Sequence, residues 1–174
     1  MRTRILSAAA GIALLIAVML LPREVLGAAV FLLSLLGMHE YLAALSSAGY
    51  KPVRVIGYIS CIPLAFMGIL GYGNILPVFM ISVLLMLSST MVFFNKKYNV
   101  VDISLTLFGV FYVPFLFTFI TLTRSLNNGH LFIWMVFIGA WVTDTFAYFT
   151  GVSIGRNKLI PEVSPKKTVE GALG

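Results

Sequence analysis

Six apolar runs of about 20 residues, each closed by a turn or charge signal, constrain this chain more than anything else in it. They lie at approximately Ile5–Leu21, Val25–Ala48, Val53–Leu70, Ile75–Phe94, Ile103–Thr123 and Leu131–Gly151. About 20 mostly apolar residues are what a helix needs to cross a bilayer. The breaks read Pro22-Arg23-Glu24, Gly49-Tyr50-Lys51-Pro52, Gly71-Tyr72-Gly73-Asn74, Asn95-Lys96-Lys97 and Asn127-Asn128-Gly129, all turn or charge punctuation. Lipid offers no partners to bare backbone groups, so spans must be helices or a closed barrel, and continuous apolar runs exclude the barrel. The expectation is an all-α, polytopic membrane helical bundle.

Composition agrees with lipid as the main solvent. Sixty per cent of the 174 residues are hydrophobic and 10% are charged, against about a quarter charged in a soluble domain. The first run follows Met1-Arg2-Thr3-Arg4 and is followed by Leu21-Pro22-Arg23-Glu24 rather than a small-x-small cleavage site, so a retained helix is expected instead of a removed signal peptide. The single cysteine, Cys61, sits in an apolar run and reads as a small buried hydrophobe.

The net charge of +6 points to topology and anionic groups rather than nucleic acid, because the cations sit in the short gaps between apolar runs. With the N-terminus in the cytoplasm, that side collects Arg2, Arg4, Lys51, Arg54, Lys96, Lys97, Arg156, Lys158, Lys166 and Lys167, and the other side only Arg23 and Arg124. Such a bias obeys the positive-inside rule and puts the C-terminal loop in the cytoplasm, as in a bacterial inner-membrane protein. The chain thus divides into a transmembrane region, 1–151, and a basic cytoplasmic loop, 152–174.

Chemistry concentrates between Trp141 and Gly174. Asp144 lies within an apolar helix, where insertion of a carboxylate costs about 2.5 to 3.5 kcal/mol and so signals function. It lies roughly 10 Å below the cytoplasmic helix end. The loop beyond carries Arg156, Lys158, Lys166 and Lys167. From charge alone, four cations in such a loop are more often a topology determinant than a phosphate site. A carboxylate beside them suits Mg²⁺, which bridges to substrate phosphates, and the cations suit a triphosphate. Gly151, Gly155 and Gly171 allow close backbone approach.

The order of residues goes further. Asp-Thr-Phe-Ala-Tyr-Phe from Asp144, then Gly-x-x-x-Gly, Asn-Lys-Leu, and Ser-Pro-Lys-Lys-Thr-x-Glu-Gly from Ser164 resemble the phosphatidate cytidylyltransferase (CDP-diacylglycerol synthase) family. Glu40-Tyr41 and Tyr112-Val113-Pro114 ahead of Arg124 agree more loosely. The resemblance implies transfer of CMP from CTP to phosphatidic acid, in the bilayer and with a divalent metal such as Mg²⁺. On that reading chemistry assigns Asp144 to the metal and Lys166 and Lys167 to phosphate neutralisation. Ser164 and Thr168 become hydroxyl donors, Arg156 and Lys158 a second tier, and Glu170 a loop-ordering residue paired with a lysine. Glu40, roughly 12 Å deep in the second helix, shares a face with Gly37, Ala44 and Ser47 and is expected to border a polar cavity with Asp144.

The family continues into a second signature with Lys-Asp, Gly-His-Gly-Gly and a closing Asp-Arg-x-Asp, which these 174 residues do not contain. Its carboxylates are expected to complete the metal site, from a longer chain or a second one. Two other classes fit the same residues: a CTP-dependent lipid or prenol kinase, separable by its product, and a non-catalytic scaffold or transporter component. The ionisable groups gather near one face rather than at the midplane, which favours interfacial chemistry over transport. Small-residue faces leave room for a homodimer.

Overall fold

The computed structural model describes residues 2–162 and 164–173, with side chains from Ala9 onward. The side chains of Arg2 and Arg4, counted above for orientation, lie outside that description. Each of the six apolar runs is a helical rod. In chain order these are α1 (Arg2–Leu20), α2 (Arg23–Ser47), α3 (Arg54–Leu70), α4 (Leu76–Phe93), the α5–α6 rod (Val100–Val110 and Leu116–Ser125) and α7 (Gly129–Ser153). Four rods are long and apolar enough to cross a membrane: Arg23–Ser47, Gly73–Phe93, Val100–Ser125 and Gly129–Ser153. The apolar stretches Ala9–Leu20 and Arg54–Leu70 are shorter; the latter, at 1.5 Å per residue, reaches about 26 Å.

The boundaries follow the punctuation. Gly71 ends α3 at φ 77°, a left-handed position that glycine occupies without a Cβ penalty. There the Tyr72 amide donates to the Met67 carbonyl at 2.8 Å. Pro77 falls in the first turn of α4, where its missing N–H is no loss. Pro114 falls inside a helix and has a local cost: residues Phe111–Phe115 widen into a π turn between α5 and α6. A proline ring clashes with the carbonyl four residues back, here Val110, and a wider turn makes room for it. One apolar run therefore becomes two α segments in a single rod.

The chain divides into two compact units, Met1–Gly129 and His130–Gly174. In the first, α3 packs on α2 and α6, with Met38, Leu42, Ile56, Leu64, Leu87 and Val110 in its buried core. Close approach rests on small residues. A Cβ on Gly68 would lie 3.0 Å from the Thr121 Cβ, and one on Gly109 would run into the Tyr41 ring. Glycine at a crossing brings backbones together where lipid supplies no hydrophobic drive between helices.

A buried polar joint holds the turn between α2 and α3. Asn99 caps α5, accepting from the Asp102 amide at 2.8 Å while Asp102 accepts from the Asn99 amide at 3.1 Å. The same carboxylate accepts the Lys51 amide at 2.7 Å, and Thr106 accepts the Val53 amide at 2.9 Å. Asp102 is 3% exposed. Every acceptor here meets an amide that a turn at the bundle's end leaves without a helical partner.

The second unit holds α7 and the stretch written above as a basic loop. That stretch is ordered as an antiparallel hairpin, β1 (Lys158–Ile160) and β2 (Ser164–Thr168), followed by one short helix, α8 (Val169–Leu173). Two strands and a helical turn after seven helical segments leave the all-α class intact.

Candidate functional site

The hairpin begins where α7 ends. After Ser153 the chain turns at Gly155 and enters β1; β2 returns with Ser164, Pro165, Lys166, Lys167 and Thr168. The pairing is irregular. Lys158 faces Thr168 and Ile160 faces Ser164, so β2 has two residues more than β1 between the same two rungs. The excess falls on Pro165-Lys166-Lys167. Proline has no N–H for the ladder, and a bulge at this point swings the two lysines away from regular pairing. Both are exposed, as are Arg156 and Lys158. Ser164 is half-buried.

Thr168 behaves differently. It is 7% exposed, and its Oγ1 accepts the Gly171 amide at 3.2 Å. Three glycines surround it. A Cβ on Gly151 would lie 3.1 Å from Thr168 Oγ1, one on Gly155 2.7 Å and one on Gly171 3.0 Å. The glycines read from sequence as permissive for close approach thus converge on one threonine. Accepting that amide ties β2 to α8 and does not use the hydroxyl's own proton.

The same contact fixes α8 against α7. A Cβ on Gly171 would stand 2.8 Å from the Ala147 carbonyl oxygen and 2.9 Å from Gly151 Cα. Asp144, Ala147 and Gly151 are spaced i, i+3, i+7, one stripe of a 3.6-residue helix. Asp144 is exposed and lies about one turn, roughly 5 Å, below Ala147 and about two turns, roughly 10 Å, below Gly151. It is α8, through Gly171, that meets this stripe nearest Asp144; the lysine-bearing strand meets it through Thr168, beside Gly151, about two turns from Asp144.

Glu170 orders the loop through amides rather than a lysine. Its Oε2 accepts the Arg156 amide at 3.1 Å, and its Oε1 accepts the Asn157 amide at 3.2 Å and the Asn157 side-chain Nδ2 at 2.9 Å. The Asn157 carbonyl in turn accepts the Val169 amide at 2.9 Å. These donors, with the residue's own backbone amide foremost, hold the Glu170 carboxyl below the usual carboxylate range. Asn157 was not singled out by sequence. The Asn-Lys-Leu triplet marked its place, but its main partner, the Glu170 carboxylate, lies thirteen residues on and is brought to it only by the folded hairpin.

Glu40 belongs to the first unit. With Gly37, Tyr41, Ala44, Tyr112 and Val113 it lines a groove of about 570 Å³. Glu40-Tyr41 and Tyr112-Val113, two segments far apart in sequence, thus share one surface. Neighbouring His39 bonds the Tyr58 hydroxyl at 2.9 Å. Among the described residues no three His, Cys, Asp or Glu side chains converge to cage a metal. Asp144 offers one carboxylate, which fits a Mg²⁺ held mainly by waters and substrate phosphates.

Several long apolar helices, the last of which carries a carboxylate and leads into a basic hairpin, define a multi-pass membrane protein. Comparison with known proteins then gives the family. The family model described as "Cytidylyltransferase family" matches residues 2–174, and the chain belongs to that family. It is similar to the phosphatidate cytidylyltransferase of Staphylococcus haemolyticus, 29% identical over the whole chain and 67% of that protein. It is also similar to those of Aquifex aeolicus, 33% identical over 47% of the chain, and Staphylococcus aureus, 39% over 46%. The matched stretches cover only 31% and 30% of the latter two proteins. No solved structure matches the chain.

Proposed function

We propose that this chain takes part in the transfer of CMP from CTP to phosphatidic acid, yielding CDP-diacylglycerol and pyrophosphate. A phosphate oxygen of the lipid attacks the α-phosphorus of CTP. The bond from that phosphorus to the β-bridging oxygen breaks, and pyrophosphate leaves with the electron pair. Such chemistry is mostly positioning and charge neutralisation. Lys166 and Lys167 neutralise the triphosphate, with Ser164 as a hydroxyl donor at the start of the same strand. Arg156 and Lys158 meet the lipid phosphate at the interface. Asp144 would hold Mg²⁺, which when bound adds positive charge at the phosphates.

The observation that carries this reading is the Ser164–Thr168 strand running into α8, which meets α7 at Ala147, one turn from Asp144 on the same stripe, in a member of the cytidylyltransferase family. The bias of basic residues supports a bacterial inner membrane with the hairpin on the cytoplasmic side, where nucleoside triphosphates are found.

The test is product formation by the full-length protein from labelled CTP, phosphatidic acid and Mg²⁺, with Asp144→Asn as control. CDP-diacylglycerol from the wild type and a loss of about 100-fold or more in the variant is expected for removal of a metal-holding carboxylate. A variant as active as the wild type would remove Asp144 from the site.

A further inference from the structure

Glu170 presents a difficulty for any site that binds a triphosphate: a carboxylate two residues beyond Thr168 should repel the substrate. Its bonding resolves the difficulty. Both carboxylate oxygens face the hairpin's open end and take the Arg156 amide, the Asn157 amide and the Asn157 side chain. The charge is directed at amides rather than at substrate.

The bulge supplies the second half of the argument. Across Pro165-Lys166-Lys167 the ladder cannot fix β2, because two extra residues separate its rungs. The position of the lysines is therefore decided at the strand's ends. At the open end, Asn157 and Glu170 tie the entry of β1 to the first turn of α8, and the Val169 amide bonds the Asn157 carbonyl at 2.9 Å. Thr168, packed among three glycines, sits between them.

We propose that Asn157 and Glu170 are positioning residues: a clasp that touches no substrate and sets where Lys166 and Lys167 meet the phosphates of CTP. The inference rests on the CMP-transfer reading for its catalytic consequence, but the clasp itself is measurable without turnover. Asparagine is required at 157 because its amide donates to Glu170. An aspartate in its place would set a carboxylate against a carboxylate. Reversing the pair, with Asn157→Asp and Glu170→Gln together, restores one donor and one acceptor in exchanged places, and the glutamine oxygen still accepts the two backbone amides.

The experiment compares the full-length wild type, Asn157→Asp and the double variant in lipid nanodiscs. Asn157→Asp should lower kcat/KM for CTP by about tenfold to 100-fold, the scale of a small misplacement of a binding group. KM for phosphatidic acid should rise as well, because the clasp also holds the Arg156 amide, and the double variant should recover most of both losses. Hydrogen exchange at the Arg156 and Asn157 amides should be slow in the wild type, fast in Asn157→Asp and slow again in the double variant. Equal kcat/KM in all three proteins, or a double variant worse than the single, would overturn the proposal. A wild type that makes no CDP-lipid would sink the function. The clasp then stands if exchange follows the predicted order, and falls if those amides exchange fast in the wild type.

Discussion

Glu170 and Gly171 are neighbours that hold the hairpin by opposite means, one by accepting amides and the other by having no side chain. The Glu170 carboxyl titrates below its ordinary value because the folded hairpin surrounds it with donors. A carboxyl depressed on folding contributes stability that is fully present above its unfolded pKa, about 4.3. That contribution is lost as pH falls through the lower, folded value. Exchange at Arg156 and Asn157, corrected for intrinsic rate, should thus be flat from neutral pH to about pH 5 and should accelerate below it. In Glu170→Gln the corrected rates should show no such acid step. At Gly171 a methyl would meet backbone, the Ala147 oxygen and Gly151 Cα, which cannot swing aside as a flexible side chain can. Gly171→Ala should weaken hairpin docking by about 1–3 kcal/mol, read as faster tryptic cleavage after Lys166 and Lys167. Cleavage at the wild-type rate would mean that the crossing tolerates a Cβ.

Among the elements, the apolar rods were the most legible and the hairpin the least. A run such as Leu131–Gly151 has a length set by the bilayer, and α7 (Gly129–Ser153) differs from it by two residues at each end. The strands had no comparable signal. Three and five residues, one of them Pro165, show no useful alternation, and the bulge spoils the period of two. The glycines at 151, 155 and 171 were readable as places of close approach, but not that Thr168 is what approaches. Asp102 was legible in principle, since Asn99-x-x-Asp102 has the spacing of a capping box, yet its bond to Lys51 comes from tertiary contact. Asp102→Ala leaves the Lys51 amide without its acceptor, at about 1–3 kcal/mol. It should lower the midpoint of unfolding in mixed detergent. An unchanged midpoint would show that water reaches that turn.

For the whole molecule, the charge distribution makes a claim about orientation that each unit's geometry leaves open. Cysteines placed singly at Lys96 and Asn127 in a Cys61→Ala background should differ in labelling by an impermeant maleimide. In intact cells with permeabilised outer membranes the residue-127 thiol reacts, and the residue-96 thiol reacts only after lysis. Equal labelling of the two would break the proposed topology. The chain spans two thirds of the Staphylococcus haemolyticus relative. CMP transfer and phosphoryl transfer from CTP are separated by which phosphate reaches the lipid. The most direct measurement therefore supplies CTP labelled at either the α- or the γ-phosphate, with phosphatidic acid and Mg²⁺. CMP transfer puts α-label in the lipid product and γ-label in pyrophosphate. Label from the γ-phosphate in the lipid, with CDP as co-product, would contradict it.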